Sequence, residues 1–311
     1  MKFAYQQAQA NRNDHTVIVL FFFNARGEEL ERTTEGMYRP LLLQLMEAVP
    51  DLQVLLDRVP SFGDVGEAAT STAKRANPTK RPQIFLATKF GAEFEDGQMI
   101  IDSSRSRCLF SCERSLQRLG VSQIDLLYAH RLDPAVPIEE TVQAMADLHS
   151  AGKIKYLGQS EVSAATLRRA HRVHPIAAVQ VEYSPFSLEI ESPQTDLLRT
   201  ARELGVAVVA YSPLSRGILT GRIRSRADFP EGIYGCQLVL AWLLAQGDDI
   251  FPIPGTTRQE ALVENVGALE VRLTEEEVAG IRAVVNEVEV LGGRYGEESL
   301  KTCFVDTVPL E

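Results

Sequence analysis

Cysteine, histidine and tryptophan are scarce in this sequence: four, five and one of them occur among 311 residues. Cys108 and Cys112 stand four positions apart, which places them on one face of a helix, and no CxxC pair or histidine-rich stretch accompanies them. This scarcity argues against a zinc module and against a disulfide-stabilised secreted domain. We expect a reduced, intracellular protein with no metal site.

Long apolar runs are also absent. The longest, residues 16–23, has about eight residues, whereas a membrane-spanning helix needs roughly 20. Residues 1–14 are polar and lack the apolar centre of a secretory signal. We therefore expect a cytoplasmic protein that does not enter a membrane.

Basic residues form no continuous stripe, and the net charge is −10. The densest basic cluster, residues 222–226, is short and interrupted, which is more typical of a solvated surface turn than of a nucleic-acid site. With 45% hydrophobic and 24% charged residues, the composition is that of a globular chain. A small molecule, rather than nucleic acid, is the expected partner.

Short apolar runs alternate with amphipathic segments along most of the chain. The runs are continuous and rich in β-branched residues, as in parallel strands buried on both faces. The predicted strands are residues 16–23, 53–57, 84–89, 124–129, 156–160, 178–182, 207–211 and 250–253. The predicted helices are residues 37–48, 105–119, 138–151, 163–170, 194–204, 238–245 and a last one, opened by a capping box of Thr274 and Glu277, that ends near 288. Gly120, Gly152 and Gly205 mark helix ends.

Eight strands alternating with helices leave two architectures open, a closed (β/α)8 barrel and an open doubly wound sheet. An open sheet that binds a dinucleotide ordinarily carries a GxGxxG turn after its first strand, and none is present. The strand count favours the (β/α)8 TIM barrel, as a single domain over residues 1–311 with a C-terminal tail at 289–311. Active sites of such barrels gather at the carboxyl ends of the strands.

Polar residues stand at those strand ends. Lys89 closes the third predicted strand, Asp57 closes the second, and His130 follows the fourth. A lysine at the end of a barrel strand can equally be a rim residue whose ammonium reaches solvent. A single histidine is more often structural than catalytic. Three polar groups on consecutive strands favour a functional site, with Asp57 as the natural partner of Lys89.

The end of the eighth strand predicts a phosphate site. Gly255, Thr256, Thr257 and Arg258 follow it directly, ahead of a helix. Backbone amides at a helix N-terminus, two hydroxyls and a guanidinium are typical of a phosphate-binding turn.

In their order along the chain, the strand ends resemble the aldo-keto reductase family, and most closely its fungal and bacterial branch that reduces aldehydes and ketones with NADPH. The matching segments are residues 84–91, 125–131, 156–161, 180–184, 210–217 and 253–258, within a dense likeness from residue 84 to about 284. The resemblance implies an NADP-dependent oxidoreductase that converts a carbonyl compound to an alcohol. Fungal relatives of this type often act in secondary-metabolite biosynthesis, which makes such a role plausible here.

The family's catalytic residues are an aspartate, a tyrosine, a lysine and a histidine. By resemblance, Asp57, Lys89 and His130 supply three of them. Phe62 stands five residues after Asp57, at the position of the family's tyrosine. Tyrosine gives a proton to the carbonyl oxygen and phenylalanine has none to give, so the resemblance implies weakened activity.

The resemblance also implies a set of cofactor contacts. Ser160 and Gln180 match the residues that hold the nicotinamide carboxamide, Glu161 stands where relatives often have asparagine, and Tyr211 matches the ring that stacks on the nicotinamide. The remaining implied contacts are Ser212, Leu214 and Gly217 at the pyrophosphate, Thr256 and Arg258 at the 2′-phosphate, and Glu264 and Asn265 near the adenine.

Two regions depart from the family pattern. Residues 1–52 lack the glycine-rich opening strand, and the stretch between Gly221 and Cys236 is shorter than in relatives. They leave open whether the barrel is complete around its first strand and seventh helix. Both departures fit a diverged family member and equally fit misjudged exon edges.

Other aromatic residues have either a structural or a functional interpretation. Tyr38 is a conceivable substitute acid, but it stands far too early relative to Lys89. Tyr128 is expected one layer below His130, in the core. Phe304 and Tyr295 of the tail either line the substrate pocket or pack on the barrel.

Three functional hypotheses follow. The first is a working or weakened NADPH-dependent carbonyl reductase. The second is a non-catalytic NADP-binding protein with a regulatory role, which Phe62 favours. The third is a degraded product with little function, which the short stretch after Gly221 favours.

Overall fold

The computed structural model describes residues 81, 85–95, 98–214, 235–255, 259–287 and 300–310. Its strands, in chain order, are β1 (Ala87–Phe90), β2 (Ala92–Glu95), β3 (Gln98–Ile101), β4 (Ile124–Ala129), β5 (Ile154–Ser160), β6 (Ile176–Glu182), β7 (Ala207–Tyr211) and β8 (Ile250–Pro252). Its helices are α1 (Arg105–Leu119), α2 (Ile138–Ser150), α3 (Ala164–Val173), α4 (Leu197–Leu204), α5 (Gly235–Ala245), α6 (Gln259–Gly267) and α7 (Glu275–Glu287). Two 3-10 helices cover Glu189–Glu191 and Ala268–Glu270.

Six strands form one sheet in the order β1-β4-β5-β6-β7-β8, and every neighbouring pair is parallel. A helix lies between each successive pair of these strands along the chain. This is the alternation predicted for a (β/α)8 barrel, and its six strands correspond to the third to eighth predicted strands. The first two predicted strands, 16–23 and 53–57, and the helix predicted at 37–48 lie outside the described residues.

The antiparallel pair of β2 and β3 was not predicted from the sequence. Ala92 pairs with Ile101 and Glu95 pairs with Gln98. The pair directly follows β1 and precedes α1, so it is inserted between a strand and a helix of the barrel pattern. The Asp96-Gly97 dipeptide in the sequence is a strong hairpin signal that would have indicated it.

The helix ends follow the predicted chemistry. Gly120 and Gly205 adopt left-handed φ values of 64° and 68° just after α1 and α4, which glycine tolerates without steric cost. The capping box before α7 is confirmed: the Thr274 amide donates to Glu277 Oε2 at 2.8 Å, and the Glu277 amide donates to Thr274 Oγ1 at 3.2 Å. Helix α4 begins later than predicted because the side chain of Ser192 accepts from the Thr195 amide at 3.3 Å in a turn ahead of it.

Buried side chains form two layers, one on each face of the parallel sheet. The larger lies between the sheet and the helices and includes Leu127, Val179 and Trp242. The smaller lines the other face, which is the barrel interior, and consists of Ala87, Leu126, Tyr128, Ala178, Ala207 and Val209, with Phe85, Tyr156, Phe251 and Ile253 packed against it. Alanines on three strands leave room for the aromatic rings there, so small and large side chains interdigitate.

Gln159 on β5 is a polar residue in the helix-facing layer. It is fully buried, its register partners Ala129 and Val179 belong to that layer, and neither side-chain amide atom hydrogen-bonds to a described residue. Burying an amide without partners is unfavourable. We expect Gln159→Leu to raise the free energy of unfolding by about 1 kcal/mol, seen as a higher melting temperature and urea midpoint.

The control for this prediction is Gln117→Leu, which makes the same chemical change on the exposed face of α1. Surface substitutions of this kind usually stay within about 0.5 kcal/mol. A lower melting temperature for Gln159→Leu would show that the amide has a stabilising partner.

Candidate active site

The carboxyl ends of the parallel strands bring five of the predicted site residues to one edge of the sheet. Lys89 lies in β1, His130 directly follows β4, and Ser160 ends β5. Gln180 lies near the end of β6 and pairs in register with Ser160, and Tyr211 ends β7. His130, Gln180 and Tyr211 each stand two residues after an interior residue, namely Tyr128, Ala178 and Val209. Side chains two residues apart on a strand lie on the same face, so these residues face the barrel interior. Of the three residues predicted to share a layer at the strand ends, the structure describes Lys89 and His130, and Asp57 lies outside the described residues.

Lys89 lies in a cationic and poorly solvated environment. Burial, and secondly the charge of Arg131, lower the pKa of its ammonium to about 7, while the charge of Glu161 acts in the opposite direction. Arg131 is buried directly after His130, and its guanidinium donates to the His130 carbonyl oxygen at 3.1 Å. An ammonium with a pKa near neutrality can hold or release a proton under ordinary conditions.

His130 is neutral in this site. Burial, followed by the charges of Lys89 and Arg131, holds the pKa of its imidazole well below the usual range. A neutral imidazole has one N–H donor and one acceptor nitrogen. His130 is therefore suited to orienting a carbonyl oxygen by a hydrogen bond rather than to donating a proton from an imidazolium.

Ser160 and Gln180 are fully buried polar residues at neighbouring strand ends. Neither the Ser160 hydroxyl nor the Gln180 amide hydrogen-bonds to a described residue. Burial raises the pKa of the Tyr128 hydroxyl and the adjacent Gln180 amide offsets part of that rise, although their contact lacks ordinary hydrogen-bond geometry. Buried polar groups are almost always paired in native proteins, so a carboxamide, which both donates and accepts, fits these residues.

Tyr128 belongs to the core, as the sequence indicated. It is 1% exposed and lies in the interior layer. Its ring occupies the space left by Gly158 on β5: a Cβ built on that glycine would lie 2.4 Å from Tyr128 Cδ1. The ring thus forms the floor under the strand-end residues.

Glu161, which the sequence analysis placed where relatives often have asparagine without giving it a role, lies among the strand-end residues. It follows β5, is 1% exposed, and its Oε1 accepts a hydrogen bond from the Tyr211 hydroxyl at 2.8 Å. An acidic residue directly after a buried strand was the signal available. Its direction into the site depends on a left-handed φ of 54°, which no local sequence pattern encodes.

The C-terminal segment lies against the turn that carries Glu161. Val305 forms a parallel bridge with Val162, and the Val305 amide donates to the Glu161 carbonyl oxygen at 3.0 Å. Thr307 Oγ1 accepts from the Ile138 amide at 3.2 Å, at the start of α2. Phe304 packs against the hydrophobic core, which is the second of its two predicted interpretations, and Tyr295 lies outside the described residues.

The remaining predicted contacts are only partly described. Ser212 follows β7 with a left-handed φ of 49°, and Leu214 closes the described part of that loop. Glu264 and Asn265 are half-buried on α6, and Glu264 hydrogen-bonds to the Cys236 thiol, whose pKa is raised to about 12 by burial and by that carboxylate. The predicted site residues outside the described part of the chain are Asp57, Phe62, Gly217, Thr256 and Arg258.

Neither a candidate metal centre nor a candidate membrane span occurs in the described part of the chain. No three histidine, cysteine, aspartate or glutamate side chains there are arranged to hold a metal ion. Within the same residues, no helix combines the length and apolar character that crossing a membrane requires.

Comparison with known proteins agrees with this architecture. The profile of the aldo/keto reductase family matches residues 62–286. Aldo-keto reductase str7 of Strobilurus tenacellus is 47% identical over 265 residues, covering 75% of this chain and 77% of that protein. The aldo-keto reductase yakc [NADP(+)] of Schizosaccharomyces pombe is 43% identical over 265 residues, covering 74% of this chain and 78% of that protein.

A solved structure gives the same result for the fold. The crystal structure of a thermostable aldo-keto reductase in complex with the inhibitor epalrestat superposes with a TM-score of 0.60 at 30% sequence identity, covering 71% of this chain and 78% of that one. The predicted (β/α)8 barrel is therefore confirmed as the fold class. The chain belongs to the aldo/keto reductase family.

Proposed function

We propose that the protein reduces an aldehyde or ketone to the corresponding alcohol with NADPH. As a member of its family it is an oxidoreductase of carbonyl compounds. The observation that carries the proposal for this chain is the gathering of Lys89 and His130 with the buried polar side chains of Ser160 and Gln180 at one edge of the sheet. A cation and a neutral imidazole beside buried amide and hydroxyl groups suit carbonyl reduction with a nicotinamide cofactor.

NADP is the proposed cofactor, as the family resemblance implied and as the name of the Schizosaccharomyces pombe relative states. When bound, it supplies the hydride that the carbonyl carbon accepts. The buried groups of Ser160 and Gln180 would hold its carboxamide, and the half-buried ring of Tyr211 would pack against the nicotinamide. Contacts to the phosphates and adenine are proposed for Ser212, Leu214, Gly217, Thr256, Arg258, Glu264 and Asn265.

The chain's own residues handle the carbonyl oxygen. His130 is neutral and orients the oxygen through an N–H donor. Lys89 places positive charge near the oxygen, where negative charge develops as the hydride arrives. Asp57 is proposed as the partner of Lys89, and Phe62 at the tyrosine position slows the reaction because it has no proton to give.

Binding of NADPH tests the proposal. We expect purified protein to bind NADPH more tightly than NADH, and Arg258→Ala to weaken NADPH binding by about 10- to 100-fold because a charge-assisted contact to the 2′-phosphate is lost. Trp242 packs in the helix-facing layer, on the opposite face of the sheet from the proposed nicotinamide site, so it is a poor reporter of binding. The fluorescence of the bound reduced nicotinamide is therefore the signal to follow.

Arg272→Ala is the matched control, because Arg272 is exposed in the loop before α7. It should leave NADPH binding unchanged. Failure of the wild-type protein to bind NADPH would overturn the proposal. Binding without turnover across a broad carbonyl panel would instead support the second candidate, a non-catalytic NADP-binding protein, which Phe62 favours.

Three finer predictions remain proposals. The resemblance to fungal reductases supports a role in a secondary-metabolite pathway, and the scarcity of cysteine supports a cytoplasmic location. The alternation of strands and helices through the described residues supports a single domain over residues 1–311 with a tail at 289–311. Fluorescence microscopy of a tagged chain tests the location. Limited proteolysis tests the single domain. The loss of particular metabolites after gene deletion tests the role in a secondary-metabolite pathway.

A further inference from the structure

Residues 305–308, which we call the C-terminal latch, are held against the barrel by one guanidinium. Arg169 on α3 donates to the Thr307 carbonyl oxygen and to the Val308 carbonyl oxygen, each at 2.7 Å. The same guanidinium makes a bidentate pair with Glu139 on α2, at 2.9 and 2.7 Å. Because the guanidinium is planar and the carboxylate holds it in one orientation, it fixes the main chain of the latch.

The latch also provides acceptors at the starts of two helices. The Ile138 amide at the start of α2 donates to Thr307 Oγ1 at 3.2 Å. At the start of α3, Asp306 accepts from the hydroxyls of Ser163 and Thr166, the latter at 3.2 Å. Helix N-termini favour such acceptors and negative charge. The latch therefore has one defined position across α2 and α3.

The latch is bonded to the turn that carries Glu161. The Val305 amide donates to the Glu161 carbonyl oxygen at 3.0 Å, and the Ser163 amide donates to the Val305 carbonyl oxygen at 3.1 Å. Glu161 has a φ of 54°, which is rare for residues other than glycine, asparagine and aspartate. Such a backbone persists only where its surroundings fix it. The latch fixes it through the carbonyl group, and Gln180 on β6 fixes it through the amide at 3.1 Å.

Glu161 in turn fixes the side chain of Tyr211. The Glu161 side chain is buried, and its Oε1 accepts from the Tyr211 hydroxyl at 2.8 Å and from the Glu182 amide at 3.3 Å. A hydrogen bond to a carboxylate is stronger than one between neutral groups. Tyr211 ends β7, and its half-buried ring is the one proposed to pack against the nicotinamide. Hydrogen bonds therefore connect Arg169 to that ring through the latch and Glu161.

We propose that Arg169 is a positioning residue for the nicotinamide half of the cofactor, and that it acts through the latch, Glu161 and Tyr211. This inference rests on the proposed function. While the latch is in place, the Tyr211 ring is held in position before the cofactor arrives, so less order has to be gained on binding. Release of the latch should therefore weaken binding of the nicotinamide half and leave binding of the adenine half unchanged.

A comparison of two ligands by titration calorimetry tests this role. We expect Arg169→Ala to weaken NADPH binding by about five- to tenfold, a typical coupling between two sites, and to leave binding of adenosine 2′,5′-bisphosphate, which has no nicotinamide, unchanged. Hydrogen exchange of the latch amides should be faster in the same variant. Thr307→Val removes the acceptor for the Ile138 amide at nearly constant volume. It should show the same selective loss, and it decides the question if Arg169→Ala does not fold.

Arg168→Ala is the matched control. Arg168 precedes Arg169 on α3, but it pairs with Glu203 on α4 and donates to Thr200 Oγ1 at 3.1 Å. Its loss removes the same charge from the same helix. We expect unchanged NADPH binding and unchanged exchange of the latch amides.

Tyr211→Phe tests the route from the latch to the cofactor. It keeps the ring and removes the hydroxyl that Glu161 accepts from, so adding Arg169→Ala should cause no further selective loss of NADPH binding. Fully additive losses overturn the proposal, and so does an equal loss of both ligands in Arg169→Ala. Unchanged exchange of the latch amides overturns Arg169 as their anchor, and faster exchange with full NADPH affinity overturns the positioning role. Absence of NADPH binding by the wild-type protein identifies failure of the proposed function instead.

Discussion

Phe62→Tyr is expected to raise kcat for carbonyl reduction by about 10²- to 10⁴-fold, which is the contribution of a positioned general acid. The new hydroxyl would stand at the position from which family members give the proton. Burial lowers the pKa of Lys89 to about 7, so part of it is an ammonium at neutral pH, and this charge would stabilise the phenolate that forms after proton transfer. Single-turnover oxidation of bound NADPH with an aldehyde measures the change directly.

Two comparisons make this result specific. Phe110→Tyr adds the same hydroxyl to a side chain that is 58% exposed on α1, and it should not change kcat. Adding Lys89→Met to Phe62→Tyr should remove most of the gain, because the phenolate loses its cation. If Phe62→Tyr retains NADPH binding but shows no gain, Phe62 does not occupy the position of the acid.

The elements that the sequence predicted well are those with strong local signals. β4 and β7 have the predicted bounds because each is a largely apolar run between polar turns, interrupted in β4 only by Asp125. Helix α1 has the predicted bounds because Ser104 accepts from the Arg107 amide at its start and Gly120 ends it. The structure has Lys89, His130, Ser160, Gln180 and Tyr211 at one edge of the sheet, since parallel strands all end there.

What the sequence did not predict depends on contacts between distant segments. Glu161 points into the site because Gln180 and Val305 fix its backbone, and Val305 comes from the far end of the chain. The lowered pKa of Lys89 depends first on its burial and then on the charge of Arg131, which follows a different strand. Such effects have no periodicity and no short motif, so only the folded arrangement exposes them.

Gly158→Ala is expected to lower the free energy of unfolding by about 2–3 kcal/mol, the upper part of the range for overpacking a core. The added Cβ would lie 2.4 Å from Cδ1 and 2.6 Å from Cε1 of Tyr128. That ring is 1% exposed and surrounded by the interior layer, so it cannot swing aside at low cost. Urea unfolding followed by circular dichroism measures the change.

Gly280→Ala is the matched control, because a Cβ there meets nothing within 4 Å and Gly280 lies inside α7. It should stabilise the protein by about 0.5–1 kcal/mol, since alanine favours the helix. Tyr128→Leu removes the ring edge that the new Cβ meets, so Gly158→Ala should cost less in that background. Equal costs in both backgrounds would show that the penalty arises from the β5 backbone rather than from the ring.

The same substitution should also affect cofactor binding. The Tyr128 ring lies beside Lys89 and Gln180, so a ring displaced by Gly158→Ala should weaken NADPH binding, whereas Gly280→Ala should leave it unchanged.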